Sequence, residues 1–259
     1  MDDSAPVALH CEITGEGPPL IVLHGLFGSL ANWRPLGRVL GQTHQVFMVD
    51  LRNHGRSPHS AIFNYDVLAR DVLALMQQHD LPAAHIMGHS LGGKTAMQFA
   101  LQFRQMVRKL VVVDMSPCAT RARHREILTA LQNLDLNASS RSELDAQLAQ
   151  NIPDAAVRQF LLMNIANGEN GRFRWRINLD SLADNYDEIL RAIDAPRSYM
   201  GDTLFIRGEN SDYICEDDIK EIGVMFPHSR IVTIEGAGHW VHAQAPQEFA
   251  RVVGEFLAE

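Results

Sequence analysis

The residues best able to do chemistry lie in Gly88-His89-Ser90-Leu91-Gly92. A serine with glycines two residues before and two after it suits a turn so tight that only small residues let the flanking backbones meet. Such a turn strains the serine backbone and lifts its hydroxyl clear of the chain as a nucleophile. It also aims the next N–H, that of Leu91, at a bound carbonyl oxygen. The hydroxyl needs a base, and Gly236-Ala237-Gly238-His239-Trp240 offers an imidazole on a short glycine-rich loop downstream of the serine. Twelve histidines dilute any single one, yet only His239 combines glycine flanks, a position after a strand and the right chain order. His242 reads as a neighbour of the site or a helix start. His89 reads as structural, its side chain away from Ser90. A second oxyanion donor is expected from His24-Gly25-Leu26-Phe27-Gly28, through the backbone of Leu26.

The same stretch fits a rival pattern. Gly88 to Thr95 also satisfies G-x-x-x-x-G-K-[ST], a phosphate-binding loop, and Val111-Val112-Val113-Asp114 resembles the strand that carries a magnesium-binding aspartate. A nucleotidase is therefore the remote alternative. It leaves His24-Gly25 and Gly238-His239 without a role and places the loop after several strands instead of the first. Asp50-Leu51-Arg52-Asn53-His54-Gly55-Arg56-Ser57 follows another strand and is read as loop-fixing. Neither a metal-binding cluster nor a GxGxxG dinucleotide fingerprint is present, so no cofactor and no metal are expected.

These motifs require an alternating scaffold. Runs of aliphatic and β-branched residues at Val7–Ile13, Leu20–His24, Gln45–Asp50, Ala84–Met87, Leu110–Asp114, Thr203–Arg207 and Arg230–Ile234 read as strands. Most lack polar alternation, as parallel strands buried on both faces do. Helix-length segments lie around Leu30–Leu40, Asp66–Gln78, Leu91–Phe103, Asp217–Met225 and Gln247–Leu257. The order predicts a doubly wound α/β sheet, with active residues at the carboxyl ends of its strands. The alternation breaks between Ala119 and Ala195, where no strand is evident and turns such as Asn167-Gly168-Glu169-Asn170-Gly171 separate helix-like stretches. The expected organisation is a core of residues 1–118 and 196–259 with a helical cap of residues 119–195 over the site. Apolar runs such as Phe160-Leu161-Leu162-Met163 are expected to wall the substrate pocket.

Bulk properties narrow the class. A chain of 259 residues with 46% hydrophobic residues suffices for one sizeable domain with a modest insertion. A net charge of -8 argues against a general nucleic-acid partner. Three widely spaced cysteines, Cys11, Cys118 and Cys215, read as free thiols in a reducing compartment. The acidic start, without an apolar run, is not a signal peptide, and no run reaches the ~18 residues of a membrane span. A cytoplasmic location is the expectation. Oligomeric state is open.

Over nearly its whole length the sequence resembles the α/β-hydrolase superfamily. The likeness rests on His24-Gly25, on Asp50 to Ser57, on Gly88 to Lys94 and on Gly238-His239-Trp240-Val241-His242. More narrowly, His24 to Ser29, Asp114-Met115-Ser116-Pro117 and Gly208-Glu209-Asn210-Ser211 are similar to the small bacterial YbfF-type esterases. The resemblance implies an α/β-hydrolase fold and a serine hydrolase that cleaves carboxylic esters, and acyl-CoA thioesters by extension, through an acyl-enzyme. Lyases, C–C bond hydrolases and cofactor-free perhydrolases are alternatives on the same three residues. A small ester or thioester is the expected partner.

The acid that completes the triad stays open. In most of the superfamily it lies three residues after a glycine that ends the strand corresponding to Thr203–Arg207, but Gly208 plus three is Ser211, which carries no charge. Asp212 is one residue late. Asp114 ends an earlier strand, expected between those that bear Ser90 and Ser211, and the YbfF-type resemblance points to it, with Ser211 as a hydrogen-bonding partner. Asp114 is favoured and Asp212 is the alternative. The plainer reading is that Asp114 only fixes the Met115-Ser116-Pro117 turn.

Overall fold

The computed structural model describes residues 5–168, 171–194 and 198–259. Met1 to Ser4, Glu169 and Asn170 of the expected turn, and the expected cap boundary at Ala195 lie outside the described residues. In chain order the first elements are strands β1 (Cys11–Thr14) and β2 (Pro19–Leu23), helix α1 (Arg34–Leu40), β3 (Gln45–Val49), α2 (Tyr65–Gln78), β4 (Ala84–His89), α3 (Leu91–Gln102) and β5 (Val107–Val113). Then come helices α4 (Arg125–Gln132), α5 (Arg141–Leu148) and α6 (Ala155–Leu162), strands β6 (Ile165–Asn167) and β7 (Phe173–Trp175), and helices α7 (Leu179–Asp184) and α8 (Tyr186–Leu190). The chain closes with β8 (Thr203–Gly208), α9 (Glu216–Met225), β9 (Ser229–Ile234), α10 (Val241–Gln244) and α11 (Pro246–Ala258).

Seven strands form one sheet in the order β1-β3-β2-β4-β5-β8-β9, and only β1 pairs antiparallel. The seven expected runs are the seven strands, in an α/β-hydrolase fold. Successive residues of the inner strands feed different cores. Ile21, Leu23, Phe47, Val49, Ile86, Leu110 and Val112 pack with α2, α3 and α9. Leu20, Val22, Val46, Met48, Met87, Val111 and Val113 pack with α1 and α11. Two buried faces remove the need for polar alternation. β1 begins later than expected because the amides before it are taken by side chains: Val7 N–H donates to Asp71 and His10 N–H to Ser57.

The segment between β5 and β8 departs from the expected all-helical insertion. It contains an antiparallel hairpin, β6 paired to β7 from Ile165↔Trp175 to Asn167↔Phe173, and Gly168 and Gly171 of the expected turn lie between its strands. Strands of three residues are too short for a period of two to show in the sequence.

The Asp50–Ser57 loop is fixed as expected. Asp50 accepts the N–H groups of Leu30 and Arg56, and Ser57 Oγ donates to the Asp50 carbonyl. Arg52 forms a bidentate pair with Asp71 at 2.6 and 2.7 Å, both side chains fully buried. Removing one member strands the other charge away from water, at about 3–5 kcal/mol. Arg52→Ala should therefore lower the unfolding free energy by about that much in urea titrations, whereas Arg34→Ala, which breaks an exposed pair with Glu12, should cost less than about 1 kcal/mol. Equal losses would show that the buried pair anchors nothing.

Candidate active site

Strand β4 ends at His89 and α3 begins at Leu91, so Ser90 alone makes the turn between them. Its backbone sits at φ 53°, ψ −114°, a strained region for a residue with a side chain. The two glycines make the approach possible. A Cβ at Gly88 would lie 2.0 Å from the Gly92 carbonyl oxygen, and one at Gly92 would lie 2.5 Å from that of Leu23. Ser90 N–H donates across to the Val113 carbonyl at 3.1 Å, tying the turn to the end of β5.

Asp114 is the next residue after β5. It is fully buried and also has a positive φ, 48°. Its carboxylate accepts the Gly208 N–H at 3.0 Å and the Ser211 hydroxyl, and His239 Nδ1–H donates to Oδ2 at 2.7 Å. With the proton on Nδ1, His239 Nε2 carries a lone pair. Ser90 and His239 line one cavity of about 470 Å³. The structure thus brings Ser90, His239, Asp114 and Ser211 together. Asp212 faces outward, 67% exposed, in a bidentate pair with Arg123.

Leu26 follows β2 in a turn closed by Gly28 N–H to the Gly25 carbonyl, and Leu91 opens α3. Among the described residues neither the Leu26 nor the Leu91 N–H has an acceptor, and Leu26 lines the cavity beside Ser90. Asn164 Nδ2 donates to the Phe27 carbonyl at 2.7 Å, so the β6–β7 region holds this loop from above.

Lys94, the residue that would reach a phosphate in the nucleotidase reading, is fully buried and donates to the Arg191 carbonyl at 2.5 Å. Burial pushes its ammonium down to about 8. It ties α3 to the segment after α8 and faces no open phosphate site.

Histidines crowd the site without competing as bases. His24 Nδ1–H donates to the Gly25 carbonyl while Nε2 accepts Leu51 N–H, so the ring is neutral, and burial pushes its pKa down to about 4. Burial lowers His54 to about 3 and His242, stacked 4.3 Å from Trp33, to about 3. His242 is the second residue of α10 and lines the cavity. His89 also borders the cavity, and its Nε2–H donates to the His239 carbonyl at 2.8 Å, holding the backbone of that loop.

Much of the remaining wall is apolar: Phe27, Ile127, Val157, Phe160, Leu161 and Trp240. Phe160 packs on Trp240, 5.6 Å between centroids. Met163, expected beside it, is the residue that caps the C-terminus of α6; it is 50% exposed and does not line the cavity. Four residues at or beside the site carry no motif: Arg123, His124, Asn164 and Tyr213. Tyr213 lies next to Asp212, but nothing in the local sequence signals that its ring stacks on His239 at 3.7 Å.

The chain matches a family described as alpha/beta hydrolase fold over residues 18–170. It is 40% identical to a protein named sn-1-specific diacylglycerol lipase from Mus musculus, over 93% of this chain and 81% of that protein. It is 35% identical to one named esterase YbfF from Escherichia coli, over 92% of each. A solved structure described as a marine microorganism esterase shares 40% identity and a TM-score of 0.95, over 96% of this chain and 99% of that one.

The neutral histidines set an acid limit. In the unfolded chain His24 and His54 titrate near 6.5, whereas in the fold they resist protonation to about 4 and about 3. Their contribution is complete above the unfolded pKa and is lost as pH falls toward the folded values, at about 1 kcal/mol per pH unit for each. Urea midpoints should be flat from pH 8 to 7 and fall steeply from about 6.5 to 5. A flat profile across that lower window would overturn the neutral assignment.

Proposed function

The chain belongs to the α/β-hydrolase family, and from that premise we propose that it is a serine hydrolase of carboxylic esters, with Ser90 as nucleophile, His239 as base and Asp114 as the acid that orients it. The observation that carries the proposal is the 2.7 Å bond from His239 to the buried Asp114, with Ser90 strained on the rim of the same cavity.

In this mechanism His239 Nε2 takes the Ser90 proton as Oγ attacks the ester carbonyl. The negative charge that forms on the carbonyl oxygen is met by Leu26 and Leu91 N–H. Imidazolium forms against Asp114, whose charge stabilises it. His239 then protonates the leaving alcohol, and the acyl group remains on Ser90. Water, deprotonated by His239, releases the acid by the same steps in reverse. A thioester follows the same course with a thiol leaving, which extends the proposal to acyl-CoA substrates. The largely apolar cavity suits an acyl chain, and the ester-cleaving names of the relatives support that chemistry. Residues 119–195 act as its cap, with Phe160 in the wall.

Ser90→Ala should abolish cleavage of p-nitrophenyl esters with the fold intact, and a fluorophosphonate should label Ser90 alone. Labelling of another serine, or an active alanine variant, would falsify the assignment. Asp114→Asn should lower kcat on the order of 10³–10⁴-fold with little change in melting temperature. Asp212→Asn should cost less than about tenfold. The reverse ranking would transfer the role of acid to Asp212. Phe160→Ala should shift preference from butyrate toward decanoate esters, and unchanged chain-length selectivity would remove Phe160 from the acyl wall.

A further inference from the structure

His239 is held by Asp114 at a single nitrogen. One hydrogen bond fixes the place of Nδ1 but leaves the ring free to tip about the N···O direction, which would swing Nε2 away from Ser90. A second constraint must act on the face of the ring. Tyr213 supplies that contact: its ring lies 3.7 Å from the imidazole centroid with 14° between the planes. The Arg123 guanidinium also lies over the Tyr213 ring, 4.7 Å from its centroid, and is paired with Asp212 at 2.7 Å through Nη2. Tyr213 N–H donates to Ser211 Oγ at 3.4 Å, and that hydroxyl donates to Asp114. Three consecutive residues therefore act on the site in different ways. Ser211 touches the acid, Asp212 holds Arg123, and Tyr213 covers the base.

We propose that Tyr213 is a positioning residue for His239: its ring, braced by Arg123, holds the imidazole in the plane that joins Asp114 to Ser90. Arg123 belongs to the segment between β5 and α4, so the start of the insertion bears on the geometry of the base. The aromatic face also favours the imidazolium that forms as Ser90 loses its proton. The proposal rests on the assignment of Ser90 and His239 above.

The test compares Tyr213→Leu, Tyr213→Phe and Arg123→Gln with the wild type and Ser90→Ala, using a p-nitrophenyl ester and the rate of fluorophosphonate labelling of Ser90. Tyr213→Leu should lower kcat and the labelling rate by about 10–100-fold, with KM within about threefold, because misplacing a base slows proton transfer without weakening binding. Tyr213→Phe keeps the ring and should stay within about threefold of wild type, with Arg123→Gln between the two. If Tyr213→Leu does not fold, Tyr213→Met carries the same expectation. A wild-type kcat in the leucine variant overturns the proposal, as does a loss confined to KM, which would make Tyr213 cavity wall only. A phenylalanine variant as slow as the leucine variant would also overturn it, by shifting the role to the hydroxyl. Ester cleavage that survives in Ser90→Ala instead overturns the underlying assignment, and this proposal with it.

Discussion

A carboxylate with no access to water must find donors or lose its charge, and Asp114 organises this molecule around that requirement. Its donors come from three places: the Gly208 amide at the end of β8, the Ser211 hydroxyl in the loop that follows, and His239 beyond β9. Each bond fixes the end of one strand relative to β5. The Asp114 N–H donates to the Ile206 carbonyl at 2.7 Å, so backbone and side chain of one residue close the same edge of the sheet. Satisfying the carboxylate and placing His239 are one event.

Strain is concentrated along that edge. Phe27, Asn53, Ser90 and Asp114 all have positive φ without being glycine, and each follows the carboxyl end of a strand. Such backbones persist only when the surroundings hold them. Here the surroundings are explicit: the Phe27 carbonyl accepts Asn164, the Asn53 carbonyl accepts the Asn178 amide, and Ser90 N–H donates to Val113. Two of these restraints come from the segment between β5 and β8. That segment is also fastened to the core by Lys94 at the Arg191 carbonyl and by Tyr65 hydroxyl at the Ile189 carbonyl, 2.6 Å. That segment is therefore part of the framework that holds the edge.

The electrostatic character of the site follows from burial. Its histidines, other than the one on Asp114, sit where desolvation disfavours their charged forms, including His89, held well below its usual value, and His124, lowered to about 4. Neutral imidazoles pack as rings, on Trp33, on Phe27 and on each other. Most of these rings are polar packing around the bond from His239 to Asp114.

The sequence by itself determined the sheet, the turn at Ser90 and the loop that bears His239, because each is written in neighbouring residues. Alternate residues of a strand reach opposite cores, and the glycines around Ser90 are the only residues that let Gly88 and Gly92 meet. It also narrowed the candidates for the acid to Asp114 and Asp212, because Ser211 stands where the family usually carries a carboxylate. The hairpin of three-residue strands, the outward face of Met163 and the stack of Tyr213 on His239 were not legible. Only the tertiary structure decided these, and with them the placement of Asp114 against His239, 125 positions away in the chain. Contacts across such separations depend on where strand ends fall in register. A difference of one residue between Asp212 and Ser211 turns a side chain from the buried edge to solvent, and local sequence carries no record of that direction.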